Sequence, residues 1–94
     1  MTQTKMAELL EKAGWRKTED YYERGVGNII EFDNSDGHHK DKFITVYSDL
    51  VFYCRKGKDD IVMSIHYDNI SLAYQSGNVV YLLLLKGGSI AIGR

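Results

Sequence analysis

The spacing of the apolar residues constrains this chain most, because it changes from a helical period to a strand period after Trp15. Before that point, apolar residues recur at the 3.6-residue period of a helix with one buried face, and charged residues lie opposite them. This apolar stripe consists of Met6, Leu9, Leu10 and Ala13. The pattern predicts an amphipathic helix over residues 4–13, capped by Thr4 or, as second choice, Thr2, and ended by Gly14.

Beyond the helix, the sequence has the composition of β-strands, rich in β-branched and aromatic residues. Short turns of polar residues and glycine separate these segments, so consecutive strands are predicted to pair in antiparallel fashion. The predicted strands cover residues 28–33, 43–47, 50–55, 61–67, 70–75, 79–85 and 89–92. The predicted fold is α+β, with the N-terminal amphipathic helix packed on a mostly antiparallel, strongly curved β-sheet or partial barrel of 5–7 strands.

The composition fits one small globular domain over residues 1–94. Hydrophobic residues make up 44% and charged residues 27%, an ordinary globular balance. The net charge of -1 gives no global positive field that would attract nucleic acid or anionic membranes. No apolar run approaches the roughly 20 residues of a membrane-spanning helix, and no secretory signal is recognised. We therefore expect a cytoplasmic protein that binds neither membranes nor nucleic acid.

The three histidines are the first candidates for ligand chemistry. His38 and His39 stand in the polar stretch 33–42, which we predict to be an exposed loop. Adjacent residues of an extended loop point apart, and no further ligands complete a four-donor set, so neither a metal nor a cofactor is predicted. His66 is expected on the less buried face of its strand, with no nucleophile or acid placed beside it. No catalytic residue is therefore assigned.

The basic hairpin after residues 50–55 is a second candidate. Its basic side chains, from Arg55 to Lys58, could contact phosphate groups while the ring of Tyr53 stacks nearby. However, Asp59 and Asp60 follow at once and cancel most of the positive charge. The neighbouring Cys54 is interpreted as a small core residue. The candidate binding residues are Tyr53, Arg55, Lys56, Lys58, His38, His39 and His66.

The segment 79–85 is apolar on both faces of a strand. A single short helix can cover only one of these faces, so either the sheet curls over itself or a second chain covers the other face. The seven tyrosines could supply contact area for such a partner. The candidate interface residues are Tyr81, Leu83 and Leu85. We expect a protein partner of unknown identity, or a homodimer.

The strand run 43–92, with its corner over residues 67–70 (YDNI) and its hairpin over residues 84–90 (LLKGGSI), resembles the sheet of bacterial pleckstrin-homology-like domains in pattern. The resemblance covers about half of the chain. The sequence departs from that family because its last predicted element is a strand, whereas those domains end in a helix. No binding residue is carried over from the family.

Two classes of function follow from these patterns. The sequence shows no assembled nucleophile, metal set or phosphate loop, which favours a noncatalytic protein-interaction module. A small regulator or inhibitor of a larger protein, of the kind that phages and other mobile elements encode, would fit. The alternative is a small-molecule or nucleotide-binding domain, or a hydrolase, that uses the histidines. That alternative gains support if His66 and the loop of His38 and His39 converge in one pocket.

Overall fold

The computed structural model describes residues 1–35, 41–55 and 61–94, with the backbone alone at residues 50, 52–55 and 61. The described elements are α1 (Gln3–Lys12), β1 (Arg16–Glu23), β2 (Gly27–Asp33), β3 (Lys42–Val46), β4 (Leu50–Arg55), β5 (Ile61–His66), a 3-10 turn (Tyr67–Asn69), β6 (Ile70–Ser76), β7 (Val79–Leu84) and β8 (Ser89–Gly93). No helix within these ranges is long and apolar enough to cross a membrane.

Helix α1 begins one residue earlier than its sequence pattern predicts. Thr2, rather than Thr4, is the N-cap, because its Oγ1 accepts a hydrogen bond from the Lys5 amide at 3.2 Å. At the other end, Gly14 adopts a φ of +95°, and the amide of Trp15 donates to the carbonyl of Leu10 at 3.0 Å. This is the predicted glycine stop of the helix, in which a left-handed residue lets the chain turn back.

The strands form two antiparallel meanders. The large sheet has the order β1-β2-β3-β4-β5, and the small sheet has the order β6-β7-β8. The predicted α+β fold, with an N-terminal helix on antiparallel strands, is confirmed. The described strands number eight, and they neither close into a barrel nor curl strongly. The reason is that the turn at Tyr67–Asn69 starts a second sheet, so the strands do not continue one curved sheet.

The core lies between α1 and the inner faces of both sheets. The helix contacts β3 of the large sheet and β6 of the small sheet. The side chains with no exposed surface come from all three parts: Met6, Leu10, Ile44, Val46, Val51, Val80, Leu82 and Ile92. Each such burial contributes about 1.5–3 kcal/mol for a large aliphatic side chain. The helix is therefore the element that joins the two sheets into one core.

Strand β1 was not predicted from the sequence. All eight of its residues are exposed, so it lacks the alternation of buried and exposed residues that marks a strand. It forms because it pairs with β2 along its length. An ion pair also holds its first residue: Arg16 Nη2 lies 2.8 Å from Oδ2 of Asp33. The Arg16 side chain is 55% exposed, whereas the Asp33 side chain is only 2% exposed.

The expectation of an exposed loop over residues 33–42 is wrong at the start of that stretch, whereas Asp41 near its other end is exposed. Asp33 ends β2 and is buried, and Ser35 is buried as well. The side chain of Asn34 links the end of β2 to the start of β3. Its Nδ2 donates to Asp41 at 2.8 Å, and its Oδ1 accepts from the amide of Lys42 at 3.2 Å. Residues 36–40 lie outside the described part of the chain.

Polar contacts between the sheets add to the shared core. Lys42 of β3 donates from Nζ to the carbonyl of Gly93 at the end of β8, at 3.3 Å. At the corner between the sheets, the hydroxyl of Tyr67 donates to the carbonyl of Tyr47 at 2.7 Å. Burial of Tyr67 raises its pKa, and the nearby Asp49 carboxylate raises that pKa further. The two sheets are thus fixed to each other at both ends of the small sheet.

Candidate functional site

The structure describes the side chain of only one of the seven predicted binding residues. His38, His39, Lys56 and Lys58 lie outside the described residues. Tyr53 and Arg55 lie on β4, where the backbone alone is described. The convergence of the three histidines therefore stays a prediction. Within the described ranges, no group of three or more histidine, cysteine or acidic side chains is placed to hold a metal ion.

His66 is the one predicted binding residue whose side chain is described. It ends β5 and is exposed, whereas the preceding Ile65 is buried. This is the face that strand alternation predicted for it. Ser64 is exposed two residues earlier, so the two polar side chains lie on the same face of β5.

The predicted interface residues Tyr81 and Leu83 lie on the outer face of the small sheet. They are partly buried and alternate with Val80 and Leu82, which have no exposed surface and point into the core. The segment 79–85 is thus apolar on both faces, and the core covers only one of them. Leu85 follows the end of β7 and is 65% exposed.

Apolar residues of the neighbouring strands extend this surface around Tyr81, and Ser76 and Ser89 lie at its margins, opposite Val79 and Leu83. Leu72 of β6 pairs with Leu83, Tyr74 of β6 pairs with Tyr81, and Ala91 of β8 pairs with Tyr81 on its other side. Leu72 is 54% exposed and Tyr74 is 43% exposed. We name this surface the tyrosine face; it consists of Leu72, Tyr74, Val79, Tyr81, Leu83 and Ala91.

The two tyrosines of this face form an ordered pair. The ring centroids of Tyr74 and Tyr81 lie 5.1 Å apart, and the ring planes meet at 22°. Stacked aromatic rings at this distance attract each other beyond the area that they bury. The centre of the tyrosine face is therefore a fixed aromatic platform.

The strands of the small sheet contain no charged residues. None of the residues of β6, β7 and β8 is acidic, basic or histidine. Both β6 and β8 are edge strands of this sheet. Proteins commonly protect exposed edges with charged side chains, because an unprotected edge can pair with another chain. Sequence analysis missed Leu72 and Tyr74, although the uncharged segments on either side of 79–85 are a signal that could have revealed them.

A groove of about 420 Å³ lies where the small sheet meets the end of β5. It is lined by Ser64, Ile65, His66, Asn69, Leu84, Leu85, Lys86 and Ile90. The amide of Leu85 donates to the carbonyl of Asn69 at 3.0 Å, which fixes the hairpin after β7 against the corner of the chain. The groove combines an apolar floor with a few polar side chains, as small-molecule sites do.

Asp33 is the most buried charged residue described, and it pairs with the exposed Arg16. Arg16 donates from Nε at 3.3 Å and from Nη2 at 2.8 Å, and the amide of Ser35 donates to the same carboxylate at 2.9 Å. The hydrogen bond to Asp33, together with the attraction of its carboxylate, raises the pKa of the Arg16 guanidinium. Because the carboxylate is fixed by these donors, we interpret the pair as an anchor for β1.

The chain was compared with protein-family models, with curated proteins and with solved structures, and it matches none of them. The strand run 43–92 is divided between the two sheets. The candidate sites are the tyrosine face and the groove, and each is interpreted from its own geometry.

Proposed function

We propose that this chain is a noncatalytic protein-interaction module that binds a larger protein through the tyrosine face, as a small regulator or inhibitor of that protein. The observation that carries the proposal is the uncharged, aromatic and exposed outer surface of the small sheet. The centres of protein interfaces are depleted of charged residues and enriched in aromatic ones. Contiguous exposed apolar surface of this kind marks interaction sites.

The fixed positions of the tyrosine side chains on this face also support a role in binding. The stacked rings of Tyr74 and Tyr81 sit on strands whose opposite faces are buried in the core. Tyrosine provides a large contact area through few rotatable bonds, and a ring that is already held loses less freedom on binding. The face is therefore suited to supply the central contacts of an interface.

Affinity capture with matched variants tests the proposal. The protein, Leu72→Lys and Val62→Lys would each be used as bait in extracts of the cells from which the protein comes. Leu72 is 54% exposed on the tyrosine face, and Val62 is 46% exposed on β5 of the large sheet. A partner is expected to bind the parent protein and Val62→Lys equally, and to be lost from Leu72→Lys. Circular dichroism would first show that both variants are folded.

Two results would contradict the proposal. One is a captured protein that binds Leu72→Lys as well as it binds the parent, which would place the interface elsewhere. The other is the absence of any specific partner for the parent protein. A homodimer through the same face is the other form of protein interaction, and light scattering on the purified protein distinguishes it from a foreign partner.

The groove favours a second candidate function, the binding of a small molecule or nucleotide. Its volume falls within the range of about 300–1,000 Å³ that is usual for ligand pockets. Among its lining residues, His66 and Ser64 are the groups that hydrolysis could use, but none of the described lining residues is an acid that could orient the imidazole. We therefore propose binding, without hydrolysis, as the second candidate.

A further inference from the structure

We infer that the groove binds a small amphipathic carboxylate, with its apolar part on the groove floor and its carboxylate beside Lys86 and His66. This inference rests on the second candidate function, because it names the class of ligand for that site. It is separate from the tyrosine face, since the two surfaces share no residue.

The floor of the groove provides the apolar half of the site. Ile65 comes from the large sheet, and Leu84 and Ile90 come from the small sheet, so the floor joins side chains that are distant in sequence. Ile65 is buried and the other two are half-buried. An apolar chain placed on them would be removed from water on one side, which favours binding in proportion to the area covered.

Leu85 forms an exposed wall of the same groove. Its side chain is 65% exposed, yet its backbone is fixed by the hydrogen bond from its amide to Asn69. A leucine so exposed on a fixed backbone gains burial when a ligand lies against it. No segment of the described chain covers this side chain.

The positive charge of Lys86 favours an anionic group as the polar half of the ligand. Among the lining residues that the structure describes, Lys86 and His66 are the only titratable side chains, and none is acidic. Lys86 forms no ion pair with any described residue, so its ammonium is available to an anion. A single ammonium suits a single carboxylate, whereas bidentate phosphate recognition commonly uses the forked donors of arginine.

Neutral donors complete the polar side of the groove. The Ser64 hydroxyl and the Asn69 side-chain amide both line the groove. Each of these groups can donate a hydrogen bond to a carboxylate oxygen. Asp68 is exposed and adjacent in sequence, but it is not among the lining residues. The groove therefore combines cationic and neutral donors with an apolar floor.

Titration with octanoate, followed by two-dimensional amide NMR, tests the inference. Octanol and octylammonium are the matched probes, because they keep the chain and change only the head group. Saturable shifts are expected at the amides of Ser64, His66, Asn69 and Leu85 with octanoate. Octanol should bind about tenfold more weakly, since it lacks the charge-assisted contact, and octylammonium should not bind.

A pair of lysine variants separates charge recognition from simple apolar binding. Lys86→Gln is expected to weaken octanoate binding about tenfold and to leave octanol binding unchanged. Lys12→Gln, which changes an exposed lysine of α1, should leave both affinities unchanged. Equal weakening by the two variants would show that overall charge, and not the groove, attracts the anion, and would overturn the inference.

The remaining outcomes distinguish this inference from the function on which it rests. If octanol binds the groove as tightly as octanoate, or if adenosine monophosphate binds there while octanoate does not, small-molecule binding survives and the carboxylate assignment fails. If none of these probes shifts the groove amides, both fail. Octanoate shifts confined to Leu72 and Tyr74 would place the apolar probe on the tyrosine face and would also overturn the inference.

Discussion

Both sheets contribute apolar side chains to one core, but the edge strand β1 of the large sheet and the strands of the small sheet differ in charge. At the free edge of the large sheet, all residues of β1 are exposed, and most of them are charged: Arg16, Lys17, Glu19, Asp20 and Glu23. The small sheet has two edge strands, β6 and β8, and no charged residue on any of its three strands. One chain thus contains both a charged edge strand and an uncharged sheet with aromatic residues.

This difference assigns different roles to the two surfaces. A row of charges on an edge strand opposes pairing with other chains, because bringing those charges into an interface without partners is unfavourable. The small sheet has no such protection, and its exposed aromatic side chains favour contact. We therefore interpret β1 as a solvated edge and the tyrosine face as the surface available to a partner.

The largest expected effect concerns the core that both sheets share. Leu10 of α1 has no exposed surface, and α1 contacts both sheets. Leu10→Ala should lower the free energy of unfolding by about 2–5 kcal/mol, as buried leucine truncations do. Urea unfolding followed by Trp15 fluorescence and by circular dichroism should give one coincident transition for both sheets.

Glu8→Ala is the matched control on the same helix, because Glu8 is exposed. It should change the free energy of unfolding by less than about 0.5 kcal/mol. An unchanged urea midpoint in Leu10→Ala would show that the helix does not hold the sheets. Separate transitions for the two probes in the parent protein would show that the sheets unfold independently.

The second effect compares the two acidic residues that meet cations on β1. Asp33 is nearly fully buried beside Arg16, whereas Asp20 is 45% exposed at 3.9 Å from Lys17. Asp33→Asn should cost about 1–3 kcal/mol, because buried charge-assisted hydrogen bonds are lost. Asp20→Asn should cost less than about 1 kcal/mol, as for other exposed pairs. Equal costs in urea unfolding would mean that the buried pair does not anchor the charged edge.

The third effect compares a tyrosine between the sheets with one on the charged edge. Tyr67→Phe removes the hydrogen bond to Tyr47 and should cost about 0.5–1.5 kcal/mol at neutral pH. Tyr22→Phe should cost almost nothing, because Tyr22 is 75% exposed.

The two tyrosine variants should also differ in alkaline solution. The folded protein keeps the Tyr67 proton above the pH of about 10 at which tyrosine in an unfolded chain releases it. The unfolded state then binds fewer protons, so the free energy of unfolding falls as pH rises beyond about 10. Urea midpoints from pH 7 to 11 should fall less steeply in Tyr67→Phe than in the parent. An unchanged slope in that variant would show that other groups cause the loss.

The sequence predicted the parts of the fold in which local pattern and burial agree. The stripe of Met6, Leu9, Leu10 and Ala13 is buried as its spacing predicted, and Gly14 ends the helix. Strand β1 could not be predicted in the same way, because its stability comes from pairing with β2 and not from a buried face. The division into two sheets was also hidden, because alternation within a strand does not say which strands pair.

The candidate sites, like the sheets, could be predicted only where they depend on local sequence pattern. Tyr81 and Leu83 were predicted because one segment contained apolar residues on both of its faces. Leu72 and Tyr74 became visible only when the register placed them opposite those residues. The groove joins Ser64 to Ile90, and no local spacing connects two residues so far apart in the chain. Sites made by contacts between distant segments require the structure.

The last prediction concerns substitutions on the tyrosine face. They should change stability least, and their main effect should be on self-association. The purified protein should pair weakly through this face at high concentration, because the uncharged sheet exposes Leu72 and Tyr74. Leu72→Lys and Leu83→Lys should give folded monomers, since an unpaired ammonium in an apolar contact is unfavourable. At the exposed Leu72, the change in stability should stay within about 0.5 kcal/mol.

Leu85→Lys makes this test specific to the face. Leu85 was predicted as an interface residue, but it lies beyond the end of β7 and lines the groove, so its substitution should leave self-association unchanged. Light scattering measures the association, and circular dichroism shows whether each variant is folded. Loss of association in Leu85→Lys alone would place the contact at the groove. A parent protein that stays monomeric at high concentration would reject the homodimer and leave a foreign protein as the partner of the tyrosine face.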